Sequence, residues 1–163
     1  MRQVFFSFEY NKDVWRAAQV RNMGKVSNDS TFSDNDWEEV KNKSDYEIRK
    51  WIDNQMEKRS CIVVLIGHTT SLRKWVKYEI EKAYELNKGI VGIYIHNLKD
   101  KCGYQTEQGA NPFYSIYTNG GERLSKYVTC FNSSYQSSQN VYNDIYDNIE
   151  KLIEDAINNK VPR

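Results

Sequence analysis

Two short, continuous apolar runs constrain this chain more than any other feature. Cys61-Ile62-Val63-Val64-Leu65-Ile66 and Ile90-Val91-Gly92-Ile93-Tyr94-Ile95 are rich in β-branched residues and lack the alternation of a half-exposed strand. Runs of this kind are strands covered on both faces, which is the situation in a parallel sheet. Between them, residues 72–88 carry apolar side chains at helical spacing. A strand, a helix and a second buried strand make a βαβ unit. Val4-Phe5-Phe6-Ser7-Phe8 reads as a first strand, followed by a helix over 13–21 with Val14, Ala17 and Ala18 in phase.

Further helices are predicted on either side of the unit. Ser44-Asp45-Tyr46-Glu47 is a capping box, and behind it Ile48, Trp51, Ile52 and Met56 form a stripe. From 139 to 159, Val141, Ile145, Ile149, Leu152, Ile153 and Ile157 form another. Thr70 or Ser71 is expected to cap the middle helix and Gly89 to end it. Residues 27–36 and 99–121 are polar and read as loops. The order β-α-loop-α-β-α-β-loop-α, over 163 residues with no linker or repeat, predicts one domain, 1–163, with a central parallel sheet and helices on both faces. Ligands of such sheets bind beyond the carboxyl ends of the strands. Here that edge holds residues 7–11, 67–71 and 96–98.

Charge narrows the function classes. With 23 basic and 22 acidic side chains, the chain lacks the basic excess of nucleic-acid binders or of electrostatic membrane docking. The longest apolar run is too short to span a bilayer, and the first apolar stretch is too short for a signal peptide, so a cytoplasmic protein is expected. Cys61, Cys102 and Cys130 are odd in number without CxxC spacing, and His68 and His96 have no spaced third ligand; no metal site is expected. GxGxxG and GxxxxGK[ST] do not occur. Ser7 has no evident His–acid pair, and the strand ending in Gly67-His68 lacks a phosphoacceptor aspartate.

The chemical signal lies on the middle helix. Leu72, Val76, Ile80 and Ala83 share one apolar arc, flanked by Trp75 and Leu86, while most charges fall outside it. Glu79 falls between Leu72 and Leu86, on the sheet-facing side. Isolated buried glutamates are rare, and burial disfavours the charged form. Such a residue finds a partner, raises its pKa or serves a site. A core arginine, Arg16 or Arg21, would be the plain structural partner. Trp75, at i−4, is its neighbour on the helix.

Phe5-Phe6-Ser7-Phe8-x-Tyr10, Val64-Leu65-Ile66-Gly67, Arg73-Lys74-Trp75-Val76-Lys77-Tyr78-Glu79-Ile80, Val91-Gly92-Ile93, Lys99-Asp100-Lys101 and Asn111-Pro112-Phe113 occur in this order. Together they resemble the TIR-like family of bacterial Thoeris antiphage systems, from Val4 to about Phe113. The resemblance implies a flavodoxin-like, three-layer TIR fold and cleavage of NAD between nicotinamide and ribose. NAD is then substrate, with no cofactor. It implies Glu79 as the catalytic acid group and Trp75 against the nucleotide. Phe6, Ser7 and Gly67 would line the pocket, and Asp36 and Trp37 would close it. It further implies a cyclic or conjugated ADP-ribose signal, a signal-responsive effector as partner, a phage component as trigger, and self-association. The alternative is a non-catalytic TIR-like interaction module, which has no need of an acid on a buried helix face.

Overall fold

The two apolar runs form the centre of a four-stranded parallel sheet. A computed structural model of the protein describes residues 1–27 and 34–163, the side chains of 34–36 excepted. The strands are β1 (Val4–Ser7), β2 (Cys61–Ile66), β3 (Gly89–Tyr94) and a two-residue β4 (Cys130–Phe131), in the order β1-β2-β3-β4. Phe5 pairs with Ile62, Ile62 with Ile90, and Gly92 with Cys130.

Strand alternation divides the core in two. Phe5, Ile62, Val64, Ile66 and Ile90 face one helical layer, built from α3 (Asp45–Glu57) and α4 (Lys74–Glu85). Val4, Phe6, Cys61, Val63, Leu65, Val91 and Ile93 face the other, built from α1 (Tyr10–Arg21) and α5 (Ser138–Asn158). With α2 (Asp34–Val40) on the α3 side, this is a three-layer α/β sandwich, as the resemblance implies. Every residue of β2 and β3 is buried, which is why neither strand alternates in sequence.

Local chemistry sets the helix ends. Ser44 Oγ accepts from the Glu47 amide at 3.3 Å, as the capping box predicts. At α4 the expectations fail. Thr70 lies in a separate 3-10 turn, Thr70–Leu72, and its hydroxyl accepts from the Gly67 amide instead. Arg73 takes the N-cap position in extended backbone with no side-chain cap. This break in phase leaves Leu72 75% exposed rather than in the apolar arc. The helix ends at Asn87, not Gly89. Asn87 has φ 56°, its amide bonds Tyr84 O, and the Lys88 amide bonds Ala83 O. That is a Schellman cap with asparagine in the left-handed position. Gly89 opens β3, where a Cβ would lie 3.0 Å from the Ala156 backbone on α5.

Of the two expected loops, 99–121 holds no helix or strand, while the other gains structure. Helix α2 begins at Asp34, within the polar stretch 27–36, while residues 28–33 lie outside the described residues. β4 follows the irregular segment after β3, too short for any periodicity to announce it. Among the described residues, no helix is long and apolar enough to cross a membrane.

Candidate active site

A cavity of about 310 Å³ opens beyond the carboxyl ends of β1 and β2. Its walls come from the start of α1, from α2 and from the first two turns of α4. Phe6, Trp37, Trp75 and Glu79 line it, so four of the expected site residues meet here.

Glu79 reaches the cavity because α4 packs one face on the sheet. Val76, Ile80 and Ala83 fill the core from that face, and Glu79 shares it, only 5% exposed. Its Oε1 accepts a 2.7 Å hydrogen bond from Ser7 Oγ, at the end of β1. The expected arginine partners are committed elsewhere. Arg16 is fully buried, donating to Leu98 O, Tyr104 O and Asp13 Oδ1. Arg21 lies over the Phe8 ring. Burial pushes the Glu79 carboxyl up to about 8, and the Ser7 hydroxyl pulls it part of the way back. A hydroxyl neutralises nothing, so this carboxyl changes protonation near neutrality, in the range that suits a proton-transferring group.

Aromatic side chains complete the walls. Trp75 is half-buried, with its ring edge-on to Tyr78. Trp37 bridges two other rings, 6.1 Å from Tyr10 and 6.3 Å from Trp51, and so joins α2 to α1 and α3. The Asp36 side chain lies outside the described residues.

Gly67 does not line the cavity. It packs against α1, where an added Cβ would fall 2.1 Å from Asp13 Oδ2. Its amide is spent on Thr70 Oγ1, 2.7 Å away. The residue therefore sets the approach of α1 to the end of β2 and stands behind the site.

Sequence reasoning missed Glu9, Tyr10, Asn11 and Arg73 as lining residues. The first three lie on the predicted carboxyl edge, which was the available signal. Glu9 is 5% exposed and ion-paired to Arg73 Nε at 2.9 Å. It precedes α1, where no helical phase reveals burial. Among the described residues, no cluster of three or more metal-ligating side chains occurs.

The arrangement is a buried, near-neutral carboxyl beside aromatic walls, at the strand edge where ligands of parallel sheets bind. It suits a planar base and a sugar whose anomeric carbon develops positive charge. Comparisons with known proteins give the family. The family model described as "Thoeris protein ThsB, TIR-like domain" matches residues 5–100. Over 134 residues the chain is 36% identical to a Bacillus cereus (strain MSX-D12) protein named "Putative cyclic ADP-D-ribose synthase ThsB1", an alignment covering 77% of this chain and 70% of that relative. The chain belongs to the Thoeris ThsB family of TIR-like domains.

Proposed function

We propose that the protein cleaves the nicotinamide–ribose bond of NAD and converts the ADP-ribosyl group into a cyclic or conjugated ADP-ribose signal. The observation that carries this reading is Glu79, a carboxyl buried at the edge of an open cavity with a serine hydroxyl for its partner. Nicotinamide leaves NAD as a neutral base and strands positive charge on the ribose. The ionised Glu79 stabilises that charge and accepts hydrogen bonds from ribose hydroxyls. Ser7 holds the carboxyl in place and favours its ionised form. Trp75 packs on the nucleotide, and Phe6 and Trp37 shield the reacting carbon from water. Shielding favours capture of the ribosyl cation by a hydroxyl or nitrogen of the same molecule, which closes a ring. The relative named as a cyclic ADP-D-ribose synthase supports that outcome.

In this reading the protein works in the cytoplasm with NAD as substrate and no cofactor. It is triggered by a phage component, self-associates through TIR contacts and signals to an effector protein. Asp36 and Gly67 act in substrate binding, Gly67 through the placement of α1. A purely adaptor module has no use for an acid facing a cavity. The test is to incubate the protein with NAD, alone and with lysate of phage-infected cells, and follow nicotinamide and cyclic ADP-ribose chromatographically. Glu79→Gln is run beside it. Nicotinamide release lost in the variant supports the reading; equal release removes Glu79 from the mechanism.

A further inference from the structure

The cavity holds a second buried carboxylate to which glycosidic cleavage assigns no role. Glu9 accepts from Thr69 Oγ1 through Oε2, and its Oε1 forms an ion pair with Arg73 Nε, 2.9 Å away. Both of its oxygens are engaged, so it acts as an anchor. The side chain it anchors is 48% exposed and lines the cavity. With Nε in that ion pair, the two terminal nitrogens of Arg73 have no other partner among the described residues. The pairing narrows the positions open to the guanidinium before any ligand arrives, and its fork matches phosphate oxygens.

The surroundings favour an anion. Lys41 and Lys74 also line the cavity. Each is paired with an acid outside it, Glu38 and Asp45, and such solvent-exposed pairs contribute little. They yield readily to a phosphate. α4 starts at the same mouth without a side-chain cap, its N-cap residue being Arg73 itself. Its first amides and its dipole favour negative charge. The cavity therefore has an acid at its deep end and a cationic mouth.

We infer that Arg73, held by Glu9, receives the pyrophosphate of the dinucleotide and so sets the distance from the phosphates to the bond at Glu79. The inference rests on the NAD reading above and adds a specificity residue to it. Its consequence is selection for phosphate-bearing ribosides.

Titrating the protein with ADP-ribose by calorimetry tests this directly. Wild type, Arg73→Gln, Arg73→Lys and Lys77→Gln are compared, the last being an exposed α4 lysine outside the cavity. Loss of a charge-assisted contact predicts about tenfold weaker binding for Arg73→Gln, a smaller loss for Arg73→Lys and no more than about a twofold change for Lys77→Gln. Thermal melts confirm that each variant is folded. Equal losses in Arg73→Gln and Lys77→Gln, or no binding by wild type, overturn the assignment. Nicotinamide release is measured on the same samples. Wild type that cleaves NAD, with KM unchanged in Arg73→Gln, sinks this inference and leaves the proposed function standing. Wild type that releases no nicotinamide yet binds ADP-ribose through Arg73 does the reverse.

Discussion

The Ser7 hydroxyl donates a 2.7 Å hydrogen bond to Glu79 Oε1, tying the end of β1 to the second turn of α4. Two segments separated by 72 positions thereby place one carboxyl at the strand edge. Among the described residues Glu79 has no charged partner, and its titration follows from that.

Glu79 costs stability when ionised. Its folded pKa, about 8, lies above the ordinary carboxyl value. The folded state therefore holds the proton where the unfolded chain has released it. This group's contribution is fully present below about pH 4.5 and is lost as pH rises toward 8. Glu79→Gln removes the titration. The variant is expected to be more stable than wild type at pH 7–8, by on the order of 3–4 kcal/mol. The gap should close near pH 4. Thermal melts of both proteins across that range measure it, and a pH-independent difference contradicts the assignment.

Ser7→Ala withdraws the one interaction among the described residues that lowers the Glu79 pKa. If the carboxylate stabilises the departing charge, the rising limb of kcat/KM against pH falls near 8 in wild type. In Ser7→Ala it moves to higher pH by roughly one unit, the equivalent of one hydrogen bond to a charged group. A reduced rate with an unmoved limb would give Ser7 some other role.

Arg16 and Asp13 form a buried ion pair, 3.0 Å apart, that fastens α1 to the segment after β3 through Leu98 O and Tyr104 O. Arg16→Met strands Asp13, whose pKa burial already raises. The expected loss is about 3–5 kcal/mol in urea unfolding. It should shrink at acid pH, where Asp13 is protonated, and be partly recovered in Arg16→Met/Asp13→Leu. A loss as large in the double variant as in the single one would show that the guanidinium's carbonyl bonds, not the stranded carboxylate, dominate.

Much of this was legible in the sequence because it rests on local pattern. The β-branched runs gave β2 and β3, and helical phase marked Glu79 as misplaced for a solvated charge. Both depend on residues within a few turns of each other. What was hidden depends on distant partners. The phase of α4 assumed a continuous helix from Leu72, but Thr70 bonds back to Gly67 and Arg73 goes extended. Leu72 therefore faces solvent while Glu79 stays inside. The partner of Glu79 was open between Arg16, Arg21 and a site. The choice was made by carbonyls of residues 98 and 104, which claim Arg16. Glu9 and Arg73 were invisible as a pair, since nothing in either neighbourhood specifies a contact across 64 positions. The two residues of β4 carry no period of their own and are fixed only by pairing with Gly92 and Ile93.

The central claim is that Glu79 turns this cavity into a site that breaks the nicotinamide–ribose bond. Its most direct test is chromatographic measurement of nicotinamide released from NAD by wild type and by Glu79→Gln, each with and without lysate of phage-infected cells. Release by wild type, increased by the lysate, and a loss of at least about a hundredfold in the folded variant are expected. Equal release from both proteins, or none from wild type under either condition, contradicts it.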